Sequence, residues 1–292
     1  MGYEVVRWRC DGKDLTLGMD RVGTGPTVLF LPALSSISTR LEMAALQGRL
    51  AASFHTVTVD WPGFGELARP FVDWRPAIYE AFLEYLLTDA VQGPAAIVAA
   101  GHAAGYVLRY LARDKQAAQR LVLLSPTWRG PLPTMTGGDR PLFAKIPKAV
   151  DAPVLGHLLY RLNINRFVIG MMARGHVYSD PKWLTGKRLR EKRAVTRARG
   201  SRHASIRFVA GRLDPCRNRG EFLDAARQLA IPTLQLFAAD APRKSRGEMQ
   251  ALAALGNIQT LQMPQGKLSF YEEFPEHTAE AVRDFLGKTG TD

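Results

Sequence analysis

Short apolar runs alternate with longer segments of helical spacing along most of this chain. Thr27–Leu31, Phe54–Asp60, Ile97–Ala100, Arg120–Ser125, Thr233–Phe237 and Ile258–Met263 are brief apolar stretches bounded by turn residues. Such runs are the pattern of strands covered on both faces. Between them, Thr39–Ala52, Pro76–Leu87, Tyr106–Arg113, Arg219–Leu229, Ser245–Leu255 and Thr278–Leu286 read as helices. Two further strands, Glu4–Cys10 and Leu15–Val22, flank the turn Asp11-Gly12-Lys13. Strand and helix in alternation predict an α/β fold, a mostly parallel sheet with right-handed crossovers and helices on both faces.

The rhythm breaks between residues 127 and 204. Pro131, Pro133, Gly137, Gly138, Pro141 and Pro147 mark irregular chain, and helices are predicted at Val154–Leu162, Arg166–Arg174 and Pro181–Arg193. This segment reads as a helical cap inserted into a core of residues 1–126 and 205–292, over the C-terminal edge of the sheet. A strand at Ile206–Ala210 is expected to resume the alternation.

Composition narrows the picture little: 46% hydrophobic and 23% charged residues are ordinary for a soluble globular protein. Cys10 and Cys216 offer neither a disulfide framework nor metal-ligand spacing. The first residues lack the apolar stretch of a signal peptide, so a reducing, cytoplasmic setting is expected, and no cofactor motif is present. Charge is more telling. Residues 187–207 hold nine Lys or Arg against Glu191 alone, so +8 of the net +12 is concentrated there. That segment reads first as a solvated helix face. The alternative is a surface for an acidic protein or an anionic membrane. Nucleic acid is not indicated, because no RNA-binding or zinc signature accompanies the charge.

Candidate chemistry gathers at Gly101-His102-Ala103-Ala104-Gly105, where an apolar run ends and a helix-forming segment begins. This is the strand, tight turn and helix of the G-x-S-x-G nucleophile elbow. Ala103 stands in the nucleophile's place, and a methyl group cannot attack.

Four segments in order carry a resemblance to the α/β-hydrolase superfamily: Gly25-Pro26 before Val28–Leu31, Asp60-Trp61-Pro62-Gly63-Phe64-Gly65, the elbow, and Glu272-Glu273-Phe274-Pro275. The resemblance implies an α/β-hydrolase fold with an inserted cap and a triad of nucleophile, base and orienting acid. Counting back from Glu272, the base position falls on Leu268. The acid position is open between Asp240, after the Thr233–Phe237 strand, and Asp214, in Gly211-Arg212-Leu213-Asp214.

Other residues can be weighed as stand-ins. His102 should point away from the site, His277 reads as a surface residue, and His157, His176 and His203 lie in the cap. Ser35 and Ser36 read as turn caps, and Cys216 as an inert buried thiol. The oxyanion hole needs only backbone N–H groups, here Ala104 with Ala33 or Leu34. The sequence therefore predicts a protein without serine-hydrolase activity that binds a small, largely apolar ligand between sheet and cap. Ala33, Leu34, Ser35, His102, Ala103, Ala104 and Leu268 are its expected contacts. Two alternatives stand: a hydrolase or lyase with a non-standard base, and an interaction protein docking through its basic cap.

Overall fold

A computed structural model describes residues 2–163 and 166–287. Among them, eight strands form one sheet in the order β1-β2-β4-β3-β5-β6-β7-β8. These are β1 (Gly2–Cys10), β2 (Lys13–Val22), β3 (Thr27–Leu31), β4 (His55–Val59), β5 (Ala96–Ala100), β6 (Arg120–Leu124), β7 (Thr233–Ala238) and β8 (Gln259–Met263). The first two form an antiparallel hairpin at one edge, with Met19 of β2 opposite Val59 of β4. From β4 onward the pairing is parallel, with Leu29 beside Ile97 and Val98 beside Val122.

Helices α1 (Ala44–Leu50), α2 (Pro76–Tyr85) and α3 (Ala103–Arg113) alternate with these strands. After β6 come α4 (Pro131–Thr136), α5 (Ile146–Asp151), α6 (Leu155–Asn163), α7 (Arg166–Met172), α8 (Gly186–Arg197) and α9 (Ser201–Val209). The core resumes with α10 (Arg219–Arg227), α11 (Arg243–Ala253), α12 (Phe270–Glu273) and α13 (Pro275–Gly287). No helix among the described residues is long and apolar enough to cross a membrane.

The expected strand at Ile206–Ala210 is absent; the segment belongs to α9, and β7 pairs directly with β6. Ser201, Ala204, Ser205 and Phe208 are among its buried positions and fall at the three-and-four spacing of a helix face.

Apolar side chains fill both faces of the sheet, as continuous runs in β3, β5 and β6 require. Trp61, Tyr79, Phe82 and Tyr106 centre the larger cluster, on the α2 and α3 face. Val28, Phe30, Leu46, Val98, Val122 and Val282 lie in the other.

The turn after β4 is fixed by charge. The buried Arg40 guanidinium reaches Asp20 at 2.9 Å and Asp60 at 2.8 Å, and its backbone N–H also donates to Asp60. Burial, only partly countered by Arg40, pushes the Asp60 carboxyl up to about 6. Gly65 closes this turn with a φ of 79°, and a Cβ there would lie 2.5 Å from Asp60 Cγ. Left-handed strain and overpacking act together, so Gly65→Ala is expected to lower stability by about 2–4 kcal/mol. Urea denaturation measures it; an unchanged midpoint would show that Asp60 can move aside freely.

Candidate functional site

The C-terminal ends of β3, β5, β7 and β8 converge where parallel sheets bind ligands. The sharp turn after β5 falls at Gly101, with a φ of 52°. Ala103 is instead the first residue of α3 and fully buried. This corrects the position expected from the sequence by two residues. Small residues at Ala99 and Ala103 flank the turn as they flank a nucleophile elbow. A Cβ added at Gly101 would stand 3.0 Å from Ala33 Cβ, beside the loop that follows β3. The turn thus points its missing side chain toward the expected hole and carries no nucleophilic group.

Of the backbone donors expected for the hole, Ala104 and Ala33 are engaged. Ala104 N–H donates to Gly101 O at 3.2 Å. Ala33 N–H donates to Glu42 Oε1 at 2.7 Å. Leu34 is a fully buried core residue. Ser35 bonds Ser38 at 2.7 Å, and Ser36 accepts from Ser205 of α9 at 2.7 Å.

At the base and acid positions the chain is apolar. Leu268 packs against Phe237, Ala241 and Met249. Asp240 is exposed, and the buried residue facing Leu268 is Ala241. The one-residue ambiguity in the sequence resolves away from Asp240.

His102 turns away beneath the elbow, where its Nε2 lies 3.0 Å from Leu213 O and 3.4 Å from Asp214 Oδ1. Its ring abuts Phe208 and Tyr106, and burial depresses its pKa to about 4. Asp214 therefore sits behind the elbow, its Oδ1 accepting from Gly130 N–H at 2.8 Å, and burial raises it to about 7. Burial likewise pushes the Cys216 thiol up to about 12, which leaves it protonated. His157, His176 and His277 are exposed, and His203 pairs with Asp151 at 2.7 Å. Ser125, unremarkable in the sequence, ends β6 with a φ of 45° and a buried Oγ lacking any hydrogen-bond partner.

The sequence also gave no hint of the charged cluster beside the hole. Lys192 of α8 reaches inward between Glu42 and Glu272, with Nζ 3.2 Å from a carboxylate oxygen of each. Tyr178 donates to Glu272 at 2.8 Å, and Tyr271 to Glu42 at 3.3 Å. Burial raises Glu42 to about 7 despite the opposing pull of Lys192, with Glu272 adding to the rise. Burial works against the Lys192 charge, but Glu272 and Glu42 outweigh it and hold its pKa above the usual value. Lys192 and Arg207 are thus buried members of the basic segment; Arg207 pairs with Asp151 at 2.8 Å. The run from 187 to 207 is not one solvated face.

A cleft of about 630 Å³ opens between Trp128–Asp139 and Gly211–Arg219. Arg129, Arg212, Arg217 and Arg219 line it together with Asp214 and Trp128. Its wall mixes charged side chains with apolar surface, and Ala33, Leu34, Ser35, His102, Ala103, Ala104 and Leu268 are not part of it.

A sequence model described as "Alpha/beta hydrolase family" matches residues 28–281. No curated protein matches the chain. Among solved structures, an esterase from Thermogutta terrifontis superposes with a TM-score of 0.74 at 17% identity, covering 100% of both chains. A bromoperoxidase from Bacillus anthracis gives 0.73 at 16%, over 98% of this chain and 100% of its own. A haloalkane dehalogenase variant from Agrobacterium tumefaciens gives 0.73 at 16%, over 98% of each chain. At these identities the likenesses establish the fold.

Proposed function

The chain belongs to the α/β-hydrolase family, and within it we propose a protein without serine-hydrolase chemistry that serves by binding rather than by turnover. One observation carries this reading. The backbone N–H of Ala33, one of the two donors that the loop after β3 offers an oxyanion, is already taken by the carboxylate of Glu42. A preorganised donor stabilises a developing charge only when it is free to do so. The glycine at the elbow turn and the apolar Leu268–Ala241 contact support the same reading, since nucleophile, base and acid act as a unit.

A fluorophosphonate probe tests it. The unmodified protein should form no adduct, as judged by intact-mass spectrometry, and should not accelerate hydrolysis of an activated aryl ester. A stoichiometric adduct on Ser125, Ser35 or Ser36 overturns the reading.

The raised Glu42 carboxyl supports a second one, an enzyme in which Glu42 exchanges protons with a substrate near neutral pH. Turnover of any candidate substrate that follows a pKa near 7, and is lost in Glu42→Gln, would move this reading ahead.

A further inference from the structure

The cleft behind the elbow holds an incomplete set of donors. Three of its four arginines are matched: Arg212 pairs with Asp139, Arg219 with Glu248 at 2.8 Å, and Arg217 with Glu221 at 2.6 Å. Arg129 has no carboxylate partner among the described residues, and its buried Nε makes no hydrogen bond. It lies over the Trp128 ring, with Cζ 5.0 Å from the centroid. The Trp128 indole is 5% exposed, and its Nε1 is also without an acceptor. Buried donors left unmade are costly, about 1–3 kcal/mol each and more for charged groups. Both atoms are closed to solvent, so what Arg129 brings to the cleft lining is a guanidinium without an ion-pair partner.

The acids in the wall do not supply one. Asp139 and Glu248 are held by their arginines. Asp214 bonds Gly130 N–H, and its burial favours the neutral acid, so it opposes an incoming anion weakly. The remaining charge is the Arg129 cation, and the volume suits a small organic molecule.

We propose that this cleft binds a small organic acid whose oxyanion, a carboxylate or a phosphate monoester, pairs with the Arg129 guanidinium. The proposal stands apart from the fate of the elbow, since it uses none of Gly101, Ala33, Glu42 or Leu268. Charge-assisted pairing with Arg supplies most of the affinity.

Calorimetric titration of the full chain with benzoate and with phenyl phosphate tests this, with methyl benzoate as the neutral control. At least one acid should bind in the micromolar to millimolar range, and the ester should not. The stronger acid identifies the head group. Arg129→Gln should weaken binding by about tenfold or more. Arg217→Gln, at the exposed rim, should leave it within about twofold. Melting curves check that each variant folds. Should Arg129→Gln misfold, Arg129→Lys and the acid-against-ester comparison on the unmutated chain still decide. No binding of either acid at millimolar concentration, equal binding of the ester, or unchanged affinity in folded Arg129→Gln overturns the proposal.

Discussion

Replacing Lys192 by methionine is expected to cost about 3–5 kcal/mol at pH 8, because it strands two buried carboxylates without their cation. Glu42 and Lys192 side chains are only 1% and 6% exposed, and Glu272 is 11% exposed. Solvent therefore cannot screen the loss as it would at the surface. For a chain of this size the fall in melting temperature should be roughly 6–10 °C.

The pH dependence has a definite sign. Without Lys192, Glu42 keeps its burial and the repulsion of Glu272 but loses the cation that opposes them, so its folded-state pKa rises further above the unfolded one. The folded state then binds more protons than the unfolded chain through the range between those values. Stability of the variant therefore falls as pH rises. The deficit should be smaller at pH 5 than at pH 8 in urea titrations. Adding Glu42→Gln should recover part of it by removing one stranded charge. A deficit below about 1 kcal/mol, the same at both pH values, would mean that the cluster is solvated and worth no more than a surface pair.

That cluster was the least legible part of the chain. Lys192 appeared as one of nine cations in a run, and Glu42 as one polar residue of a helix. They meet across 150 positions of sequence, and Glu272 lies 80 positions beyond Lys192. No local periodicity encodes such a pairing. The sheet was the opposite case. Runs such as Val28–Leu31 and Ile97–Ala100 must be strands buried on both faces, and those strands stand side by side.

Where the reading slipped, two patterns competed locally. Ile206–Ala210 is a short apolar stretch, but its buried neighbours Ser201 and Ala204 complete a helix face. At the elbow, Ala99-Ala100-Gly101-His102-Ala103 and Gly101-His102-Ala103-Ala104-Gly105 both place small residues around a central one. Only the left-handed backbone at Gly101 decides between them. The arginine-lined cleft was invisible because Arg129 lies more than 80 positions before Arg212 and Asp214, and only the folded chain brings them together.

The register of the elbow dictates where a hydrolase could be rebuilt. Ala103→Ser with Leu268→His should yield no esterase activity above background, since a serine at the start of α3 is fully buried and away from the turn. Gly101→Ser with Leu268→His and Ala241→Asp places the nucleophile on the turn after β5, the acid in the cluster of Phe237, Ala241 and Met249, and the base on the residue packed against that cluster. A serine at a φ of 52° is strained, by about 1 kcal/mol or somewhat more, and must ease past Ala33. Even so, the triple variant should remain feeble while Glu42 occupies the Ala33 N–H. Adding Glu42→Ala frees that donor, and Lys192 keeps Glu272 as its counter-charge. The quadruple variant should hydrolyse an activated aryl ester about 10²-fold faster than the triple, the range set by a single oxyanion-hole donor. It should also take up a fluorophosphonate that the parent ignores. The gain must be non-additive, because Glu42→Ala alone supplies a hole with nothing to attack. Equal rates for triple and quadruple variants, with both folded and both labelled, would show that Glu42 does not block the hole. Activity in Ala103→Ser/Leu268→His would return the nucleophile's place to residue 103.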